Sequence, residues 1–218
     1  MSGVGTAATG VRLLDPTPIA RRVNTAVKVM LFGAFAVALL VPLDHLDGKA
    51  MPARAPLFLA SAVLVPLIAR RRRWEPYPHV ADAMLALPFL LDTLGNLLGI
   101  YDAAPATDDV LHFVNWIALV VAFHAFRFRN VDDGRDALLL GYGFGALAIV
   151  GWEAMEWLVS EDGIGGADGL ALTYGDTIGD LVLSSTGGLL GSWIGVRRLG
   201  PVGGRRSVGG RDPGDSIG

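Results

Sequence analysis

Apolar residues gather in six long stretches that are separated by short polar or basic segments. A helix that crosses a bilayer needs about 20 largely apolar residues. The stretches have about that length and predict helices over residues 24–43, 51–69, 79–100, 109–126, 136–159 and 176–196. The second stretch is the weakest, because Pro52, Pro56 and Pro66 interrupt it. The pattern therefore predicts an all-α integral membrane protein, a bundle of six transmembrane helices.

Basic residues favour one side of this arrangement. If the amino terminus is cytoplasmic, the inner segments hold 16 of the 18 Lys and Arg residues, and only Lys49 and Arg54 fall on the outer side. Short cytoplasmic loops are enriched in Lys and Arg, so both termini are predicted to be cytoplasmic. The predicted organisation is a cytoplasmic tail over residues 1–22, a six-helix transmembrane domain over 23–198 and a disordered cytoplasmic tail over 199–218.

The composition agrees with a membrane protein. Hydrophobic residues make up 52% of the chain and charged residues only 18%, whereas soluble domains carry about 25% charge. The absence of cysteine excludes disulfides and thiolate metal sites. Because membrane topology accounts for the arginines, we expect a lipid bilayer and no nucleic acid as partner. A multi-pass protein of the bacterial inner membrane is predicted.

Glycines recur at intervals of four residues in three of the predicted spans. They are Gly95 and Gly99, then Gly141 and Gly145, then Gly187, Gly191 and Gly195. This spacing lets helix backbones approach closely in lipid. We therefore expect the third, fifth and sixth spans to contact one another. A homo-oligomer formed through the same glycine-rich faces is the alternative.

Polar residues spaced for one helix face interrupt the apolar stretches. The pairs are Asp92 with Asn96, Asp109 with His112, Glu153 with Glu156, and Asp176 with Asp180, and Asp108 flanks the second pair. Residues three or four positions apart share a face of a helix. Ionisable residues within a membrane are costly and therefore suggest function. On the predicted orientation, all of these pairs lie in the outer half of the membrane.

Several carboxylates and one imidazole cannot all stay ionised at one place without a cation, shared protons or an arginine. Since Lys49 and Arg54 are distant in sequence, we expect a cation or protons to neutralise the acids and do not expect a phosphate-handling site. The predicted metal ligands are Asp109, His112, Glu153, Glu156 and Asp180, and further polar residues of the site are Asp92, Asn96, Asp108 and Asp176. Oxygen ligands suit Mg²⁺, Mn²⁺ or Ca²⁺, and the imidazole leaves Zn²⁺ open. The alternative for Asp176, and for Asp108 or Asp109, is a helix cap.

Three strings then occur in a recognisable order. They are Asp108-Asp109-Val110-Leu111-His112-Phe113, Trp152-Glu153-Ala154-Met155-Glu156-Trp157, and Tyr174-Gly175-Asp176-Thr177-Ile178-Gly179-Asp180-Leu181. Together they resemble the YjdF-type family of predicted bacterial inner-membrane proteins and, more distantly, VanZ-like membrane proteins. That family pattern has an Asn after the final Asp-Leu, whereas this chain has Ser184 and Ser185 in that region. The resemblance implies a membrane location and a fold, and it implies no established activity.

Three functions remain open at this point. The first is a divalent-cation site that acts on an envelope or lipid substrate, with His112 or a carboxylate as base. The second is a small proton- or cation-linked transporter in which Asp92 and Asn96 form a relay. The third is a non-catalytic membrane factor whose acids form a structural network. Whether the chain is an enzyme, and which residue would be catalytic, stays open.

Overall fold

The computed structural model of the protein describes residues 17–126, 131, 133–160, 163 and 173–199. Within them the helices are α1 (Pro18–Leu40), α2 (Met51–Arg72), α3 (His79–Leu97), α4 (Ile100–Ala103), α5 (Ala106–Phe126), α6 (Gly134–Val159) and α7 (Tyr174–Leu199). A 3-10 turn covers Asp44–Leu46. The all-α prediction is confirmed for the described residues. Most of both predicted tails lies outside them, and α1 begins at Pro18, four residues before the predicted end of the first tail.

Five of the helices, α1, α2, α3, α5 and α6, are long and apolar enough to cross a membrane. The sixth predicted span corresponds to α7, which is as long as α6 but is not among the five. Two acids in its first two turns and a central run of serine, threonine and glycine make α7 the more polar helix. The described residues therefore show a multi-helix membrane protein with five candidate spans.

Helix starts and ends alternate between two ends of the bundle. At one end, which we call the acidic end, α3 and α6 finish while α2, α5 and α7 begin. Arg54 near the start of α2 pairs with Asp92 near the end of α3, and His112 of α5 approaches Asp180 of α7. At the opposite, basic end, Lys28 of α1 pairs with Asp82 of α3. Consecutive long helices therefore run antiparallel to each other.

The most extensive helix contact joins α5 to α7, followed by α6 with α7. A Cβ on Gly187 would lie 2.2 Å from the backbone oxygen of Phe113, and one on Gly191 would lie 2.7 Å from that of Ile117. These glycines therefore let α7 lie directly on the α5 backbone. The expected contact between the fifth and sixth spans is confirmed, because α6 packs on α7. The third span, α3, has no substantial contact with either among the described residues, and the glycines of α7 also meet the fourth span, α5. Self-association stays a prediction, and it would need a surface other than this one.

Two further glycines make room for a buried histidine near the basic end. A Cβ on Gly141 of α6 would lie 2.1 Å from His124 Nε2, and one on Gly195 would lie 2.5 Å from its Cδ2. Ser192 Oγ donates to the backbone oxygen of Leu138 at 2.7 Å, so it accepts the hydrogen bond that joins it to His124 Nε2 at 2.9 Å. This contact ties α5, α6 and α7 together.

Candidate functional site

A buried ion pair lies at the acidic end of the bundle. Arg54 Nη1 is 3.0 Å from Asp92 Oδ2, and Arg54 is only 5% exposed. Asn96 donates to the Asp92 backbone oxygen at 3.0 Å and to Oδ2 at 3.4 Å. The guanidinium also interacts electrostatically with Glu156 on α6. A charge pair with this burial is stable only when its remaining polar atoms are satisfied, which Asn96 helps to do.

Tyr101 completes the environment of Asp92. Its hydroxyl donates to Asp92 Oδ1 at 2.9 Å. Burial raises the pKa of Tyr101 above its usual range, so the phenol stays a proton donor to the carboxylate. A Cβ on Gly95 would lie 2.6 Å from the Tyr101 ring, which shows that the ring needs the glycine to lie against α3. We call Arg54, Asp92, Asn96 and Tyr101 the Asp92 cluster.

His112 on α5 lies between two helices. Its Nδ1 is 3.0 Å from Ser184 Oγ on α7, and both residues are buried. Its Nε2 points to carboxylates, with Asp180 Oδ1 at 3.7 Å and Asp108 Oδ1 at 3.8 Å. The Ser184 contact fixes the orientation of the ring, as a partner on the second nitrogen does for histidines that bind metals. The other ring nitrogen, Nε2, is thereby directed at the acids.

Two groups of side chains have the geometry to hold a metal ion. Asp108, His112 and Asp180 form one, and His112, Glu153 and Glu156 form the other; within each group the candidate ligand atoms lie within 4.8 Å of one another. Glu153 Oε1 is buried and has no hydrogen-bond partner among the described residues. A buried carboxylate oxygen without a donor is costly. We call the five residues of the two groups, together with the Asp92 cluster, the acidic site.

The structure brings most of the predicted site residues together. His112, Glu153, Glu156 and Asp180 are in the two groups, with Asp108 as the fifth member. Asp92 and Asn96 belong to the adjoining Asp92 cluster. Asp109 is exposed and belongs to neither group found among the described residues.

Asp176 does not cap α7. Its backbone N–H donates to Thr173 Oγ1 at 3.1 Å, so Thr173 caps the helix and Asp176 lies in the first turn. The carboxylate of Asp176 is half-buried and interacts electrostatically with His112. It therefore lies at the edge of the acidic site.

Sequence reasoning missed Arg54 as a member of the site. It treated this residue as part of an outer loop, far from the acids, whereas the first turn of α2 carries it into the bundle against Asp92. The argument that no arginine is available to an anion at this end is therefore wrong. The sequence did contain a signal, because Arg54 lies within an apolar stretch. An ionisable residue in such a stretch suggests function whether it is acidic or basic. Ser184, which orients His112, had no comparable signal.

A second buried carboxylate lies at the basic end and was not singled out from the sequence. Asp82 is fully buried and accepts hydrogen bonds on Oδ2 from Asn24, at 2.8 Å, and from Lys28 and Tyr77. Burial also raises the pKa of Tyr77 above its usual range, so this phenol too stays a donor. We call Asp82, Asn24, Lys28 and Tyr77 the Asp82 cluster. It ties α1 to α3 and to the segment before α3.

Comparison with known proteins identifies the family and adds no activity. A family model described as "Predicted membrane protein (DUF2238)" matches residues 26–200, which cover all seven helices except the first turns of α1. No curated protein and no solved structure matches the chain. Since the family model covers most of the sequence, the chain belongs to the DUF2238 family of predicted membrane proteins.

Proposed function

We propose that the protein binds a divalent cation at the acidic site, as a multi-pass protein of the bacterial inner membrane with six crossings and both termini in the cytoplasm. The distribution of Lys and Arg supports this orientation, because the positive-inside rule then makes the acidic end extracytoplasmic. The packing of α7 against α5 and α6 supports its assignment as the sixth crossing. The resemblance to YjdF-type and VanZ-like proteins stays a prediction.

The observation that carries the proposal is the buried, unpartnered Oε1 of Glu153 beside His112 and Glu156. Around it, the carboxylates of Asp92, Asp108, Glu153, Glu156 and Asp180 outnumber the single guanidinium of Arg54. Taking several like charges out of water is unfavourable without a counter-charge. A divalent cation would neutralise two of them and give Glu153 Oε1 a partner.

The donor set narrows the choice of ion. Mg²⁺ and Ca²⁺ prefer oxygen ligands alone, whereas Zn²⁺ accepts imidazole and carboxylate ligands together and Mn²⁺ suits carboxylates. Mn²⁺ and Zn²⁺ therefore fit better than Mg²⁺ and Ca²⁺. The carrier alternative gains no support, since Asp92 is engaged by Arg54, Asn96 and Tyr101 and is poorly placed to relay a proton.

The test uses neighbouring carboxylates as a matched pair. Calorimetry on the purified protein with Mn²⁺, Zn²⁺, Mg²⁺ or Ca²⁺ should show saturable binding of at least one ion, strongest for Mn²⁺ or Zn²⁺. Asp108→Asn and Glu153→Gln should weaken binding at least tenfold, and the exposed control Asp109→Asn should leave it unchanged. Both site variants should stay folded, because removing an excess negative charge relieves repulsion. Absence of ion binding, or loss of folded protein on Glu153→Gln, would instead support a purely structural acid network.

A further inference from the structure

A cavity of about 40 Å³ opens beside the acidic site and has two chemically different halves. Asp92, Asp108 and Glu156 contribute to its polar half. Phe89 and Trp152 contribute to its apolar half, on the side toward the middle of the bundle. A site for a small hydrophilic ion alone would not need the apolar half.

An apolar groove lies next to this cavity along α5. The two share Leu119, and the groove has a volume of about 230 Å³. Every residue that lines it is aliphatic or aromatic, including Leu85 of α3, Phe123 of α5 and Phe144 of α6. From Asp108 to Phe126, α5 extends about 27 Å at 1.5 Å per residue. The α5 residues that line the cavity and the groove therefore extend over most of a hydrocarbon core of about 30 Å.

The groove is lined mainly by α2 and α5, with one residue each from α3 and α6. Most of its lining comes from Leu64, Val65 and Ile68 of α2 and from Leu119, Phe123 and Phe126 of α5. Neither α2 with α5 nor α2 with α6 is among the helix pairs with substantial contact in the described residues. Nearer the acidic end, the ring of Trp152 on α6 contacts Phe58 of α2 and Phe89 of α3. Within a bilayer, an apolar groove between separated helices is open to hydrocarbon chains. Its position next to a charged cavity, with Leu119 lining both, is what ordinary lipid packing does not explain.

The charges at the polar half limit what kind of head group it can accept. A bare anion would be repelled by Asp108, Glu153 and Glu156, and Arg54 is already paired with Asp92. With a divalent cation bound, the same carboxylates would hold the ion while it ligates a phosphate, as carboxylate-bound Mg²⁺ does at phosphate-handling sites. Arg54 would add positive charge behind the site.

We propose that the acidic site and the groove together bind a phosphorylated lipid, with its phosphate on the cation and one hydrocarbon chain along α5 past Leu119. This inference rests on the proposed cation site. It names the class of envelope substrate for that site, and it requires head group and chain to bind as one ligand.

The test separates the parts of such a lipid. Purified protein with saturating Mn²⁺ would be mixed with dioleoyl phosphatidate, with glycerol 3-phosphate (head group only) or with diolein (chains only), and binding would be measured by native mass spectrometry and thermal stabilisation. We expect phosphatidate to bind at least tenfold more tightly than either part, and its binding to be lost in EDTA. Equal binding of glycerol 3-phosphate or of diolein, or phosphatidate binding that persists in EDTA, would overturn the proposal.

Groove variants give a second, independent measurement. Leu119→Trp should fill the junction and weaken phosphatidate binding at least tenfold while Mn²⁺ affinity stays unchanged. Leu147→Trp is the matched control, because Leu147 is 75% exposed on α6 and outside the groove. Leu119→Phe serves if the tryptophan variant does not fold. Undiminished phosphatidate binding in the groove variants overturns this inference alone, whereas a protein that binds no Mn²⁺, Zn²⁺, Mg²⁺ or Ca²⁺ before lipid is added overturns the proposed function and this inference with it.

Discussion

The Asp82 cluster and the Asp92 cluster contain the same chemical groups in different surroundings. Each has an aspartate of α3, a basic side chain from another helix, an amide and a tyrosine hydroxyl. Around Asp82 the base and the amide come from α1, and all three donors converge on one carboxylate oxygen. Around Asp92 the donors reach both oxygens, and the carboxylate lines a cavity beside other acids.

This difference separates a structural cluster from a candidate functional one. Among the described residues, Asp82 pairs with Lys28, Asn24 and Tyr77 and with no second carboxylate, so its charge is balanced by Lys28. Arg54 instead interacts with both Asp92 and Glu156 and leaves further acids unneutralised. Equal composition therefore does not imply equal function. The excess of negative charge around one of the two pairs makes the distinction.

The largest effect is expected from Asp82→Ala. It would leave Lys28, Asn24 and Tyr77 without their shared acceptor, and breaking a buried pair from one side costs about 3–5 kcal/mol. We expect a large loss of folded protein, measured by size-exclusion chromatography and by the thermal unfolding midpoint in detergent. The control is Asp102→Ala, which removes an exposed ion pair with Lys49, and such pairs contribute less than about 1 kcal/mol. Similar midpoints for the two variants would contradict the structural role of Asp82.

An intermediate effect is expected from replacing the basic residue of each cluster, Arg54 or Lys28. Arg54→Met takes a positive charge away from Asp92 and Glu156, so affinity for Mn²⁺ should rise by about tenfold, which corresponds to ~1.4 kcal/mol. Lys28→Met should lower stability and leave Mn²⁺ affinity unchanged, since it acts at the other end of the bundle. Calorimetry on both variants measures this contrast. Equal changes in affinity would mean that the two clusters do not differ in function.

Adding Asp92→Leu to the Arg54→Met protein tests how much the Arg54–Asp92 pair contributes to stability. Replacing both partners of a buried pair by apolar residues is often close to neutral, whereas removing one is destabilising. The double variant should therefore unfold at a higher temperature than either single variant. A midpoint below those of both single variants would show that the pair stabilises the fold by more than the neutralisation of its two charges.

The smallest effect is expected from Gly95→Ala. The new methyl group would displace the Tyr101 ring and so remove one hydrogen bond from Asp92, a change of about 1 kcal/mol. Gly151→Ala is the control, since nothing lies within 4 Å of its Cβ position, and the loss of a helical glycine should stabilise by about 0.5–1 kcal/mol. Opposite shifts of the two thermal midpoints are expected. A shift of the same sign would mean that Tyr101 contributes little.

Helix positions were predictable because each membrane-spanning helix requires a local apolar stretch of about 20 residues. The predicted stretch over 51–69 became Met51–Arg72 despite its prolines, and 136–159 became Gly134–Val159. The predicted stretch over 79–100 ended early, at Leu97, because Gly99 has a positive φ of 63° and starts the short α4 turn. That turn carries Tyr101 back over Gly95, a contact that no periodic pattern encodes.

The acidic site was predictable to the extent that intramembrane acids are rare. His112, Glu153, Glu156 and Asp180 stood out because charge within apolar sequence is conspicuous. Asp109 was preferred to Asp108 because it has the spacing of a same-face pair with His112, yet the structure turns Asp108 toward the imidazole and leaves Asp109 exposed. Spacings of three and four residues are both compatible with one helix face, so only the rotation of α5 decides between these two neighbours.

By itself, the sequence determined that the protein is helical, that it suits a membrane, and that acids from separate helices could share one end of the bundle. These properties depend on composition and on periods of a few residues. The tertiary structure decided which acids meet, that Arg54 lies among them, that Ser184 orients His112, and that an apolar groove lies next to the acidic site along α5. Such properties depend on how helices rotate and cross, which is set by side chains distant in the chain that come within a few ångströms only after folding.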